Sequence, residues 1–235
     1  MDDDPWRFTM NLDNELDRKF GDNLKKDVKL SSYSWFNLGG CAEYFYKAKD
    51  KKQLIEFLEE AKKNNLKSII VGAGSNTLFR DSGVTGAVIK LGGEFSEIKL
   101  IGQDTLEVGA ATLDRNIANF AKDNSLGNFE FLSCIPGSLG GAIIMNSGCY
   151  ENDISQVLIS VKAIDKNKLL EIEIKKEDIK FFYRGTNLTD NLIIISAKLK
   201  GKIKKKEEIE KKQSEFIERK KWSQPSQKKT WGSTS

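Results

Sequence analysis

Two glycine-rich segments constrain this chain more than any other feature. The first, Val71-Gly72-Ala73-Gly74-Ser75-Asn76-Thr77, follows the short apolar run Ser68 to Val71. The second, Ile135-Pro136-Gly137-Ser138-Leu139-Gly140-Gly141-Ala142, runs into Ile143-Ile144-Met145-Asn146-Ser147-Gly148. Small residues let a backbone approach a ligand closely and leave N–H donors facing it, which is how proteins hold a diphosphate. The first segment is not the G-x-G-x-x-G of a dinucleotide fold, because Thr77 stands three residues after Gly74 and no amphipathic helix follows before Asp81. Nor does it contain the Gly-Lys-Ser/Thr of a nucleotide-triphosphate loop. Taken alone, a tight structural turn accounts for it as well as a phosphate cradle does. The second segment places a glycine turn at the start of an apolar helix, where free amides and the helix dipole favour an anion. Close helix packing is the plainer reading of Gly140-Gly141. Together the two cradles predict one extended diphosphate cofactor.

The chain contains no histidine. That removes Ser-His-Asp and Cys-His catalysis, His-ligated metals and the H-E-x-x-H zinc motif together. Chemistry must run on other side chains, backbone amides or a cofactor. Cys41, Cys134 and Cys149 are widely spaced with no C-x-x-C pair, so they read as small buried apolar residues rather than a disulfide framework or metal site. The net charge of +4, from 38 basic and 34 acidic residues, gives no case for nucleic acid or an anionic membrane as partner. The opening Met1-Asp2-Asp3-Asp4-Pro5 is acidic where a signal peptide is basic, and no apolar run approaches the roughly 18 residues of a membrane span. A cytoplasmic location is expected.

Residues 1–23 lack sustained periodicity and read as a mobile arm, with at most a short helix near Leu12 to Phe20. Folded structure is expected from Leu24. Asp50 and Gln53 resemble a capping box before a helix carrying Leu54, Leu58 and Ala61, which ends at Asn64-Asn65. Strands are expected at Ser68 to Val71, Gly86 to Leu91, Thr105 to Val108, Val157 to Ile164, Leu169 to Ile174 and Leu192 to Leu199. Thr112 to Lys122 reads as a helix with Leu113, Ile117 and Phe120 on one face, and Lys202 to Lys221 as a largely exposed helix of paired Lys and Glu. The class is mixed α+β.

Five ordered motifs resemble the signature of UDP-N-acetylenolpyruvoylglucosamine reductases. They are Tyr33-Ser34-Trp35-Phe36-Asn37-Leu38-Gly39-Gly40; the first glycine segment with Leu78, Asp81 and Gly83; Phe129-Glu130-Phe131-Leu132 leading into the second glycine segment; Phe182-Tyr183-Arg184-Gly185-Thr186; and Gln224-Pro225 with Gly232-Ser233-Thr234. The resemblance spans about residues 24–235. It implies a two-part FAD-binding domain of the vanillyl-alcohol-oxidase (PCMH) type over 24–200, with subdomains of about 24–92 and 93–200. Residues 201–235 then begin a substrate-binding domain. Trp231 stands where the family has glycine and Ser235 where it has phenylalanine, and the family's later glutamate is missing. A chain cut off inside its substrate-binding region is therefore expected.

The resemblance further implies that NADPH reduces FAD. The flavin then passes hydride to the enolpyruvyl ether of a UDP-sugar, giving UDP-N-acetylmuramate for peptidoglycan synthesis. It assigns Val71, Gly72, Ala73, Gly74, Ser75, Asn76 and Thr77 to the FAD pyrophosphate. Pro136, Gly137, Ser138, Gly140, Gly141, Ala142 and Asn146 line the remaining cofactor surface. Arg184 holds the substrate carboxylate and growing enolate, Tyr183 stands near substrate or flavin, and Ser233 donates the proton. Asp81 and Glu130 are given turn or capping roles only. A monomer is expected. An FAD-binding remnant without turnover, and a flavin oxidase of the same fold, remain as alternatives.

Overall fold

The computed structural model describes residues 5–223, which form two larger sheets and three two-stranded ones, with helices between and around them. Helix α1 (Pro5–Phe20) opens the chain. The segment expected to be a mobile arm is anchored over its second half. Leu16 and Phe20 are buried, and the Phe20 ring meets Tyr46 and Phe57 edge-on, each at 5.2 Å between centroids. Around this apolar contact, Tyr44 donates a 2.6 Å hydrogen bond to Asp13, and Lys26 pairs with Asp17 at 2.7 Å. Burial of two large side chains outweighs the polarity that made the segment read as an arm.

The first sheet holds β1 (Leu24–Lys29), β2 (Cys41–Ala48), β3 (Ser68–Val71) and β4 (Val84–Leu91) in the order β1-β2-β4-β3. β1 runs antiparallel to β2, while β2 and β3 both run parallel to β4. Helix α2 (Lys51–Lys63) connects β2 to β3. It starts as expected, with the Asp50 carboxylate accepting the Gln53 N–H at 2.8 Å. Leu54, Phe57, Leu58 and Ala61 face the sheet, and Phe57 stacks on Tyr46 at 4.0 Å. The opposite face carries a smaller core of Leu30, Phe45, Val71, Phe79 and Val88. Tyr44, Phe45 and Tyr46 are therefore all buried, which removes the alternation that would have revealed β2 in the sequence.

The second sheet is wholly antiparallel. It contains β5 (Ile98–Ile101), β6 (Thr105–Gly109), β7 (Leu158–Asp165), β8 (Leu170–Lys175) and β9 (Leu192–Lys200) in the order β8-β7-β9-β6-β5. Helix α3 (Asp114–Asp123) turns Asp114, Ile117, Ala118 and Ala121 inward, leaving Leu113 and Phe120 half-buried. The short helix α4 (Leu139–Ile144) packs on β6 and β9. Helix α5 (Lys206–Ser223) is largely exposed but docks through Ile209, Gln213 and Phe216 on the turn Glu130–Cys134. The two glycine-rich segments thus lie on two α+β halves, one per larger sheet.

Candidate functional site

The first glycine segment leaves the carboxyl end of β3, where an open parallel sheet presents ligands. Its carbonyls are held from behind. Gly72 O accepts from the Lys90 ammonium at 2.8 Å, Gly74 O from the Trp35 N–H at 3.0 Å, and Thr77 O from the Ser34 hydroxyl at 2.7 Å. The N–H groups of Gly72, Ala73, Gly74, Ser75 and Asn76 donate to no acceptor among the described residues. Carbonyls fixed outward and amides left inward make a concavity suited to an anion. Gly74 has φ +71, and a Cβ there would run into the Tyr33 carbonyl, so the 33–40 motif is the wall against which this turn is formed. Lys90 sits beneath the turn. Burial lowers its pKa, and the like charge of Lys47 adds to the effect.

The second segment is built differently from the expected helix-start site. Residues 113 and 138 pair as an isolated antiparallel bridge, with Leu139 N–H donating to Thr112 O at 2.9 Å and Asp114 N–H to Gly137 O at 3.0 Å. Gly140 N–H donates to Ala110 O at 2.9 Å. The amides of Leu139 and Gly140 are therefore engaged by the fold, and α4 is only six residues long. Both earlier readings of Gly140 are thus separable, because a Cβ there would stand 3.3 Å from Ala110, which is close packing. Those of Gly137, Ser138 and Gly141 make no bond among the described residues. Three buried polar groups beside this segment also lack partners there: Thr112 Oγ1, both Asp114 carboxyl oxygens and Asn146 Oδ1. Asp114 is fully buried, and desolvation pushes its carboxyl up to about 8, so it is neutral below that pH.

The two segments touch. A Cβ on Gly72 would lie 2.7 Å from the Ser138 hydroxyl, so the first half of the molecule meets the second at this pair. Asn146, at φ +41, then links the second segment to the Tyr-Arg hairpin. Its side-chain N–H donates to Phe182 O at 3.3 Å, and Thr186 donates to Ile144 O at the same distance. Arg184 stands in the hairpin turn at φ +61, with its guanidinium 5.6 Å from the Tyr183 ring. It makes no ion pair among the described residues, and Tyr183 is 92% exposed. Tyr183 is therefore not a core aromatic.

A sequence profile described as an FAD binding domain matches residues 42–169. The UDP-N-acetylenolpyruvoylglucosamine reductase of Pelagibacter ubique is 41% identical over 221 residues, covering 92% of this chain and 72% of that protein. The chain belongs to the UDP-N-acetylenolpyruvoylglucosamine reductase family. It is also similar to the solved UDP-N-acetylenolpyruvylglucosamine reductase of Thermus caldophilus, with TM-score 0.76 and 29% identity over 86% of this chain and 71% of that one. A cholesterol oxidase of Brevibacterium sterolicum shares the fold alone, at TM-score 0.54 and 13% identity over 76% of this chain and 37% of that one. The FAD-binding fold of the vanillyl-alcohol-oxidase type stands, and the chain is a family member of a flavin oxidoreductase class.

For a reductase of this family, the residues present fit FAD. A cradle that a single Cβ would fill at Gly72, free amides along it, and unpartnered polar atoms at Thr112, Asp114 and Asn146 suit a ligand rich in oxygens and amide groups. Thr112, Asp114 and Lys90 escaped the sequence reading, since nothing in their neighbours marks them; they become distinctive only through burial. Ser233 and the Gln224-Pro225 and Gly232-Ser233-Thr234 segments lie outside the described residues. Among the cysteines, only Cys134 is buried; Cys41 is exposed and Cys149 half-buried, correcting the expectation of three core residues. No metal-binding cluster occurs among the described residues.

A cavity of about 640 Å³ opens elsewhere, between Asp50–Lys52 and strands β5, β6 and β7. Its charges neutralise one another. Lys51 pairs with Glu171, Lys99 with Glu97 and Lys162 with Glu107, each at 2.7 Å, leaving little unmatched charge to recruit a ligand.

Proposed function

We propose that the chain reduces UDP-N-acetylglucosamine enolpyruvate to UDP-N-acetylmuramate in peptidoglycan precursor synthesis, with NADPH as hydride donor. The observation that carries this reading is the continuous run from free amides to guanidinium: Gly72 on Ser138, Asn146 on Phe182, and Arg184 in the turn beyond. Bound FAD would supply the hydride carrier, chemistry that no amino-acid side chain provides.

The chain's own residues do the rest. Gly72 to Thr77 hold the pyrophosphate through backbone amides. Pro136, Gly137, Ser138, Gly140, Gly141, Ala142 and Asn146 line the remaining cofactor surface. Here Gly140 contributes by packing rather than by a free amide. Arg184, unpaired among the described residues and exposed, is free to grip a carboxylate with two parallel N–H donors and to stabilise charge growing on it as hydride arrives. Tyr183 lies against the guanidinium and borders the substrate. Ser233 is the proton donor in this reading. No helix among the described residues is long and apolar enough to cross a membrane, and the proposal places a monomer in the cytoplasm.

The test is direct. Purified protein is expected to carry FAD and to oxidise NADPH only when the UDP-sugar enolpyruvyl ether is added. Flavin binding without substrate-dependent NADPH oxidation would leave a cofactor-binding protein, and oxygen consumption with an alcohol substrate would leave an oxidase.

A further inference from the structure

Cys134 and Cys149 are far apart in sequence and adjacent in space. The strand pair that begins at Gly148–Cys149 packs on the turn Glu130–Cys134, and the Cys149 S–H donates to the Phe131 carbonyl of that turn at 3.4 Å. The two thiols bracket the second glycine segment. Cys134 immediately precedes Ile135-Pro136-Gly137, and Cys149 immediately follows Asn146-Ser147-Gly148.

We propose that Cys134 and Cys149 are a redox-active pair that a hydroperoxide converts into an intrachain disulfide, closing residues 135–148 into a ring at the cofactor loop. Two features favour Cys134 as the attacking sulfur. The neighbouring Cys149 thiol pulls its pKa down to about 7, with Ser133 and the Lys220 ammonium acting in the same direction against burial. Ser133 Oγ is 3.8 Å from the Cys134 sulfur, and Lys220 donates to the Cys134 carbonyl, so this cationic end of α5 is held at the site. Cys149 is pushed upward by Cys134 and by burial, and so keeps its proton until it is needed. The thiolate, not the thiol, is the nucleophilic form of a cysteine.

The steps balance. The Cys134 thiolate attacks one peroxide oxygen, the O–O bond breaks, and the departing oxygen takes a proton to leave as water, giving a sulfenic acid. The Cys149 sulfur then attacks that sulfur, the S–O bond breaks, and hydroxide leaves with the Cys149 proton as a second water. The two thiols lose two electrons, and hydrogen peroxide is reduced by two.

The experiment uses the full chain, reduced, freed of reductant and treated with hydrogen peroxide. Free thiols are then alkylated and the protein digested without reductant. The expected product is one peptide pair joined through Cys134 and Cys149, two hydrogens lighter than its parts and separated again by dithiothreitol. Exposed Cys41 serves as the internal reference. Cys149→Ser is expected to abolish the cross-link and leave Cys134 trappable as a sulfenic acid. The proposal is overturned if both residues still carry the alkyl label at peroxide doses that oxidise Cys41, or if every disulfide formed joins two chains. The wild-type peptide map decides the matter even if the variant does not fold, and neither outcome depends on the flavin.

Discussion

Gly72 and Ser138 form the seam between the two halves of the molecule, with 2.7 Å between the serine hydroxyl and the position a Cβ on Gly72 would occupy. Ser138 Cβ, by contrast, is 4.0 Å from that position, an ordinary contact. Gly72→Ala should therefore destabilise the protein by about 1–3 kcal/mol through overpacking. Adding Ser138→Ala should recover most of that loss in the apoprotein. Thermal melts of the two variants check this, and equal melting temperatures would show that the hydroxyl is not the obstacle.

Asp114 gives a pH signature. Its carboxyl is pushed up to about 8 by burial, whereas an aspartate in the unfolded chain ionises near about 3.9. Between those values the folded state keeps a proton that the unfolded state has released. Stability from this group is complete below the lower value and is lost as pH rises toward the upper one. Asp114→Asn carries no titrating proton and should remove that slope. Urea midpoints taken from about pH 4 to about pH 9 should fall for wild type relative to the variant and run parallel above about 8. Parallel curves throughout would contradict the assignment.

Arg184 separates activity from stability. The residue is exposed and unpaired among the described residues, and its backbone is left-handed at φ +61. Arg184→Gly should relieve about 1 kcal/mol of backbone strain while lowering kcat/KM on the order of 100-fold or more. Arg184→Lys should restore little, because an ammonium lacks the paired donors. Flavin content should be unchanged in both variants. A destabilised, flavin-free Arg184→Gly protein would place the residue in the scaffold instead.

Lys90 holds the first cradle from beneath by its 2.8 Å bond to Gly72 O. Lys90→Met keeps the stem and removes the charge, which also ends the cost of desolvating an ammonium. Folding stability should change by less than about 1 kcal/mol, while FAD affinity should fall roughly tenfold as the turn loses its anchor. Flavin fluorescence titration of the apoprotein measures this. An unchanged Kd would show that the turn is fixed by Tyr33 to Phe36 alone.

The chain's local sequence determined much of this architecture, because those parts depend on neighbours along the chain. Asp50 and Gln53 cap α2 as their spacing requires, the run Ser68–Val71 is a strand over the same residues, and the glycines of 72–77 leave amides free where a diphosphate cradle was expected. Contacts between distant segments decided the rest. Strand β2 is hidden in sequence because both of its faces are covered, and α1 is ordered because Phe20 finds Tyr46 and Phe57. Leu139 and Gly140 lose their free amides to Thr112 and Ala110, which no local pattern announces. The meeting of Gly72 with Ser138 exists only once the two halves have packed, and the link from Asn146 to Phe182 and the approach of Cys149 to the turn carrying Cys134 only once separate segments of the second half have come together. Residue types and spacing set which groups could serve a flavin; burial and long-range hydrogen bonding set which of them remain available.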